Sequence, residues 1–186
     1  MASGDPSSEI YLFVAGTRPE AVKLAPVILA LRARNKATIL VATGQHRQMF
    51  DAALAGLGIA ADHDLGIMRD GQSPADVVGA LIPLLVAEIA RWRPAVVVVQ
   101  GDTATAFAGA IAASYAGLPL VHVEAGLRSG ERNPFPEEMH RRCIAQLADV
   151  HFAPTAAAVA ALRREGVAAA AIHVTGNTGI DALHMM

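Results

Sequence analysis

Cysteine is nearly absent from this sequence: Cys143 is the only one in 186 residues. That excludes a disulfide framework and a paired-thiol metal site. With Met139 and Leu147 one helical turn to either side, Cys143 is expected to be a small core residue. Lysine is almost as scarce; Lys23 and Lys36 stand alone among arginines. Charged residues make up 17% of the chain and the formal net charge is -2. This balance gives no electrostatic footprint for nucleic acid or a membrane surface. The longest apolar run, Val77–Ala87, is far short of the ~20 residues that span a bilayer. No basic stretch followed by an apolar one opens the chain, so no secretory signal is expected and a soluble cytoplasmic protein is. The G-x-G-x-x-G and Walker A patterns are both missing, which removes NAD and P-loop chemistry and leaves no cofactor implied. His122 and Glu124 form an H-x-E pair on one predicted strand face, but the downstream P-C-x-x-C of a zinc deaminase is lacking. The remaining histidines are scattered, and no metal site is expected.

What the chain does have is a high apolar content, 53%, arranged as short runs between longer helical patterns. Ile10–Ala15, Thr38–Thr43, Ala95–Gln100, Leu118–Glu124, Val150–Ala153 and Ile172–Thr175 read as strands, with a short one at Asp64–Met68. Pro19–Arg34, Arg47–Leu57, Pro74–Trp92, Thr103–Tyr115, Glu137–Ala148, Thr155–Glu165 and Ile180–Met186 read as helices. Pro26 and Pro83 are expected to bend theirs, and Thr155 to cap the one it precedes. Strands apolar along their whole length are covered on both faces. With helical crossovers between them they predict α/β architecture, a doubly wound, Rossmann-like parallel sheet.

Ligands of such sheets bind beyond the carboxyl ends of the strands, where strand order reverses. The expected order places 16–19, 101–103 and 124–130 side by side. Arg18, Asp102 and Glu124 could then face one small ligand. Each has a plainer role available. Arg18 could be a surface residue, though a cation at a helix start opposes the helix dipole. Asp102 could cap the following helix. Glu124 closes a buried strand, where a carboxylate needs a partner or a job. Glu137 and Glu138, following Pro134-Phe135-Pro136, could merely offset a helix dipole.

Taken together, GTRPEAVKLAPV (16–27), TGQHRQMFD (43–51), the run from Gln100 to Gly130, NPFPEEMHRR (133–142), HFAPT (151–155) and VTGNTGIDAL (174–183) resemble the non-hydrolysing UDP-N-acetylglucosamine 2-epimerases. The resemblance runs from Ile10 to Leu183 in unbroken order. It implies the N-terminal half of a GT-B fold: residues 1–8 a disordered N-terminus, 9–176 the Rossmann-like domain, and 177–186 the start of the interdomain connection. The second domain is expected to lie outside this chain, supplied if at all by a split partner chain, and the isolated chain to be inactive. The implied reaction interconverts UDP-GlcNAc and UDP-ManNAc by eliminating UDP to 2-acetamidoglucal and re-adding it, as a step in polysaccharide biosynthesis. The family's catalytic acids match Asp102, Glu124 and Glu137, and its basic substrate-binding residues match Arg18 and Lys23. Its regulatory UDP-GlcNAc site matches Gln45, His46 and Gln48, and that loop favours the non-hydrolysing branch over one releasing free ManNAc. A homodimer is implied as well. His140 departs from the pattern, standing where the family commonly has Asn. A non-catalytic descendant that binds a sugar nucleotide or a protein partner is the other reading.

Overall fold

The computed structural model describes residues 9–44, 47–67, 69 and 71–185. Seven strands form one parallel sheet: β1 (Ile10–Ala15), β2 (Ala37–Ala42), β3 (His63–Asp64), β4 (Val96–Gln100), β5 (Leu120–Val123), β6 (Val150–Ala153) and β7 (Ile172–Val174). Their order is β3-β2-β1-β4-β5-β6-β7, so the order in which strands are added reverses between β1 and β4. The helices are α1 (Arg18–Arg32), α2 (Arg47–Gly56), α3 (Pro74–Trp92), α4 (Ala104–Tyr115), α5 (Glu137–Leu147), α6 (Ala156–Arg164) and α7 (Thr178–Met185).

Alternation along the strands splits the core into two layers. Leu12, Val14, Val97 and Val99 pack with Leu81, Leu85, Ala108 and Ala112 of α3 and α4. Phe13, Ala15, Val98 and Leu40 pack with Leu24, Ile28, Phe50 and Leu54 of α1 and α2. All-apolar strands are therefore explained by helices on both faces. The small residues of α4 let it lie close to the sheet: a Cβ on Gly109 would sit 2.9 Å from a Val99 methyl.

The helices begin where the sequence supplies caps. Thr17 with Glu20, and Ser73 with Asp76, form reciprocal capping boxes at α1 and α3. Thr155 caps α6 as expected. Helices α1 and α3 continue through Pro26 and Pro83, keeping their assignment on both sides of each.

Four expectations need correction. The third strand ends at Asp64 rather than running on toward Met68, which lies outside the described residues. Asp64 Oδ1 accepts from Gly66 N–H at 2.9 Å, and Gly66 turns the chain at φ +57°. The helix after β4 is capped by Thr103, whose hydroxyl accepts from Ala106 N–H at 3.0 Å, and not by Asp102. Cys143 is only half-buried and lines an open cleft of about 590 Å³ with Phe135 and Met139. Its turn of α5 buries Ile144 and Ala145 instead. Last, His122 and Glu124 do not share a strand face, because β5 ends at Val123 and Glu124 follows with φ +63°. Residues 1–8, for which disorder was expected, lie outside the described residues.

Candidate active site

The strand order brings three loops to one edge. Gly101 N–H donates to Val123 C=O at 3.0 Å, so the next residue along each chain, Asp102 and Glu124, stand beside one another at the carboxyl ends of β4 and β5. Both follow strands too apolar to satisfy a carboxylate. Apart from Gln100 at the end of β4, their partners come from elsewhere.

Glu124 is held in a clamp. Lys23 Nζ of α1 donates to both carboxylate oxygens at 2.7 and 2.6 Å. Gln100 Nε2, from the end of β4, donates to Oε2 at 2.7 Å. Asn177 Nδ2, from the loop after β7, donates to Oε1 at 2.8 Å. The side chain is 10% exposed. Every partner is a donor, so both oxygens act as acceptors, and hydrogen bonds to an ionised group are the stronger kind. The clamp also fixes a left-handed backbone at Glu124 that a non-glycine residue adopts only at a cost. Two residues on, Gly126 has φ +88°, and a Cβ there would lie 2.4 Å from Ala158 C=O. The turn after Glu124 is thus pressed onto α6, and only glycine fits.

Asp102 is oriented from α5. Arg141 Nη2 pairs with Asp102 Oδ2, while its Nη1 reaches Glu138 Oε2 at 3.3 Å. Glu138 also accepts from Ser129 N–H at 3.1 Å and from Arg142 Nε at 3.0 Å. Burial pushes the Glu138 carboxyl up, but these donors outweigh it and hold it below the ordinary glutamate value. Glu138 is therefore an anchor tying the 124–130 loop to α5. Arg128, in the same loop, makes a bidentate pair with Glu165 at 2.8 and 2.5 Å.

Underneath, His122 is 1% exposed and its Nε2–H donates to Gly101 C=O at 2.7 Å. Burial, with added repulsion from His151, Arg128 and Arg141, pushes its pKa down to about 4 against the opposing pull of that carbonyl. Glu20 is fully buried and bridges the first loop to the second. Its Oε2 accepts from Gly16 and Thr17 N–H at 2.9 and 2.7 Å, and its Oε1 accepts from Thr103 Oγ1 at 2.6 Å. Burial raises its pKa, and the four hydrogen-bond contributions from Thr103, Gly16 and Thr17 counter only part of that.

Asp102 and Glu137 line one cleft of about 360 Å³, together with Thr17, Thr103, Gln72 and His140. Among the described residues Glu137 has no hydrogen-bond or ion-pair partner, which leaves its carboxylate free. The remaining sequence candidates are placed differently. Lys23 is engaged with Glu124. Arg18 is exposed and lines the groove between α1 and α2 with Val22, Met49 and Ala52. Gln48 is exposed on α2, whereas Gln45 and His46 lie outside the described residues. Among the described residues no cluster of His, Cys, Asp and Glu could hold a metal ion, and no helix is long and apolar enough to cross a membrane. Sequence reasoning did not single out Gln100, Asn177, Arg141 or Glu20. Only Glu20 carried a readable signal, the Thr-x-x-Glu spacing of a capping box.

A doubly wound parallel sheet whose switch-point edge carries acids rather than a glycine-rich phosphate loop defines the class: a Rossmann-like domain of the GT-B kind. A glycosyltransferase from Streptomyces sp. SF2575 shares the fold alone, at 14% identity and a TM-score of 0.53. The family model of UDP-N-acetylglucosamine 2-epimerase matches residues 29–186, and the chain belongs to that family. The UDP-N-acetylglucosamine 2-epimerase of Bacillus subtilis is 44% identical over 173 residues, 92% of this chain and 46% of the relative. The crystal structure of the Neisseria meningitidis enzyme bound to UDP-GlcNAc superposes with a TM-score of 0.89 at 42% identity, covering 95% of this chain and 47% of that one. The chain thus spans about half the length of the relatives it matches.

Proposed function

We propose that this chain supplies the carboxylate-bearing half of an active site that interconverts UDP-GlcNAc and UDP-ManNAc. The observation that carries the reading is the edge of β4 and β5, which presents Asp102 and Glu124 on adjacent loops with Glu137 facing Asp102 across one cleft. Inverting C2 through a glycal breaks the C2–H bond and the C1–O bond to UDP, then remakes both with the proton on the opposite face. C2–H is weakly acidic, and cleavage at C1 develops the positive charge that acidifies it. Carboxylates on two sides of the ring can take and return the proton. Glu137, without a hydrogen-bond or ion-pair partner among the described residues, and Asp102, paired with Arg141 of α5, suit those tasks. Glu124, with Lys23 drawn against it, fixes charge where the leaving group departs. Arg18, exposed at the start of α1, offers a cation to a diphosphate. Gln45, His46 and Gln48, matched by the resemblance, form a second, regulatory sugar-nucleotide site. The active assembly is a homodimer in the cytoplasm.

The test is solvent exchange. Fused to the portion of the Bacillus subtilis relative that this chain does not match, it should convert UDP-GlcNAc in D₂O to product carrying deuterium at C2. Asp102→Asn and Glu137→Gln keep shape and remove basicity, so each should lower the rate by ~10²–10⁴-fold. Epimerised product without deuterium, or full activity in both variants, would overturn the reading.

A further inference from the structure

His140 stands apart from the other residues of the cleft. It is 2% exposed, lies on α5 one turn after Glu137, and lines the cleft with Asp102 and Glu137. Its ring stacks on Phe107 of α4, with centroids 4.7 Å apart and planes 19° from parallel. Nδ1 lies 2.9 Å from the main-chain oxygen of Asp102. A carbonyl oxygen can only accept, so Nδ1 must carry the proton. In the neutral ring Nε2 is then a bare lone pair, and no described residue hydrogen-bonds to it. Burial lowers the His140 pKa, against the Asp102 carbonyl and the charges of Glu137 and Asp102, which pull it up. The ring is therefore neutral near pH 7. On the side of the cleft toward α3 stand Gln72, Pro74 and Val77, none of them ionisable.

Resting on the reading above, we propose that His140 is a binding residue for the sugar, its Nε2 accepting a hydrogen bond from a ring hydroxyl of the sugar nucleotide. The chemistry of the cleft points this way. Asp102, Glu137 and His140 Nε2 converge there as acceptors, and three acceptors select a ligand rich in O–H donors. Arg141 offsets the charge of Asp102, but among the described residues no cation stands against Glu137, so the cleft disfavours a phosphate. The nucleotide diphosphate must then lie elsewhere and the sugar must lie here. An asparagine at this position would present its amide near where Nδ1 now sits. It could hold the Asp102 carbonyl, but it would not reach as far as Nε2. The histidine adds an acceptor that the shorter side chain lacks.

Two substitutions separate holding Asp102 from binding the sugar. His140→Asn keeps a donor for the Asp102 carbonyl and removes Nε2. His140→Gln places an acceptor near Nε2 and gives up the Nδ1 donor. Binding of UDP-GlcNAc and of UDP is followed by NMR on the 186-residue chain, a method that reads weak affinities. ¹⁵N shifts of His140 report its tautomer with no ligand present. The expected result is an Nδ1–H tautomer and a fall of about tenfold in UDP-GlcNAc affinity in His140→Asn, the size of one lost hydrogen bond. UDP affinity should not change, and His140→Gln should retain most of the UDP-GlcNAc affinity. A proton on Nε2, wild-type UDP-GlcNAc binding in His140→Asn, or a parallel loss for both ligands overturns the proposal. Failure to bind UDP-GlcNAc by the wild-type chain both alone and fused to the unmatched portion of the Bacillus subtilis relative refutes the functional reading beneath it, and this proposal with it.

Discussion

His122 sets how this fold responds to acid. In the unfolded chain its imidazole titrates near 6.5, whereas in the fold burial holds it neutral down to about 4. A depressed histidine pKa means the unfolded state binds the proton first, so stability is full above 6.5 and is lost as pH falls through the window from 6.5 to 4. The gap corresponds to about 2 kcal/mol lost by pH 5 and about 3 kcal/mol by pH 4. That is a large part of the 5–15 kcal/mol typical of a domain. His140 and His151 are shifted in the same direction, and Glu20 in the direction that favours acid, so the total pH dependence is not the test. The difference between wild type and His122→Gln is. Glutamine can still donate to the Gly101 carbonyl but does not titrate. Urea unfolding at pH 7 and pH 5 should show wild type losing about 2 kcal/mol more than the variant between the two pH values. An equal loss in both proteins would refute the reasoning. So would a His122 ring resonance that titrates near 6.5 in the folded chain.

Gly126→Ala should destabilise the fold by at least about 2 kcal/mol, because the new methyl meets Ala158 C=O at a positive φ; thermal unfolding measures it, and a loss under 0.5 kcal/mol would show the turn can yield. Val174, Ile180, Leu183 and Met185 are each at least half exposed near the β7–α7 end, so the 186-residue chain should self-associate in light scattering, and Ile180→Glu with Leu183→Glu should return it to monomer. The same chain should bind UDP more weakly than micromolar, since it spans only about half the length of the relatives it matches; tight binding by calorimetry would contradict this.

The sheet was readable because its signals are local. Valine runs, caps such as Thr155 and turn residues each act over a few positions, and the strand order followed from connection rules. The third strand failed because an Asp64–Gly66 turn intervenes where the apolar pattern continues. Asp102 shows a different limit. Aspartate and threonine are both good caps, and adjacent in sequence they compete. Thr103 takes the role, and Asp102 is released to meet Arg141. The clamp on Glu124 was illegible for a third reason. Lys23, Gln100 and Asn177 come from three separate elements, and no spacing in the chain announces that they meet. Cys143 followed helical periodicity correctly onto α5 but fell on the flank of its buried stripe.

One hydroxyl joins two helix starts. Thr103 Oγ1 caps α4 and donates to Glu20, and Glu20 closes the first turn of α1. Neither helix can fray at its first turn without stripping the other of a partner. The α1 and α4 starts therefore open as one cooperative unit, with a common opening free energy for the amides of Gly16, Thr17 and Ala106. A floor built this way does not flex to admit a ligand. Whatever motion accompanies binding is left to the rest of the lining, where Gln72, Pro74, Pro136 and Glu137 stand.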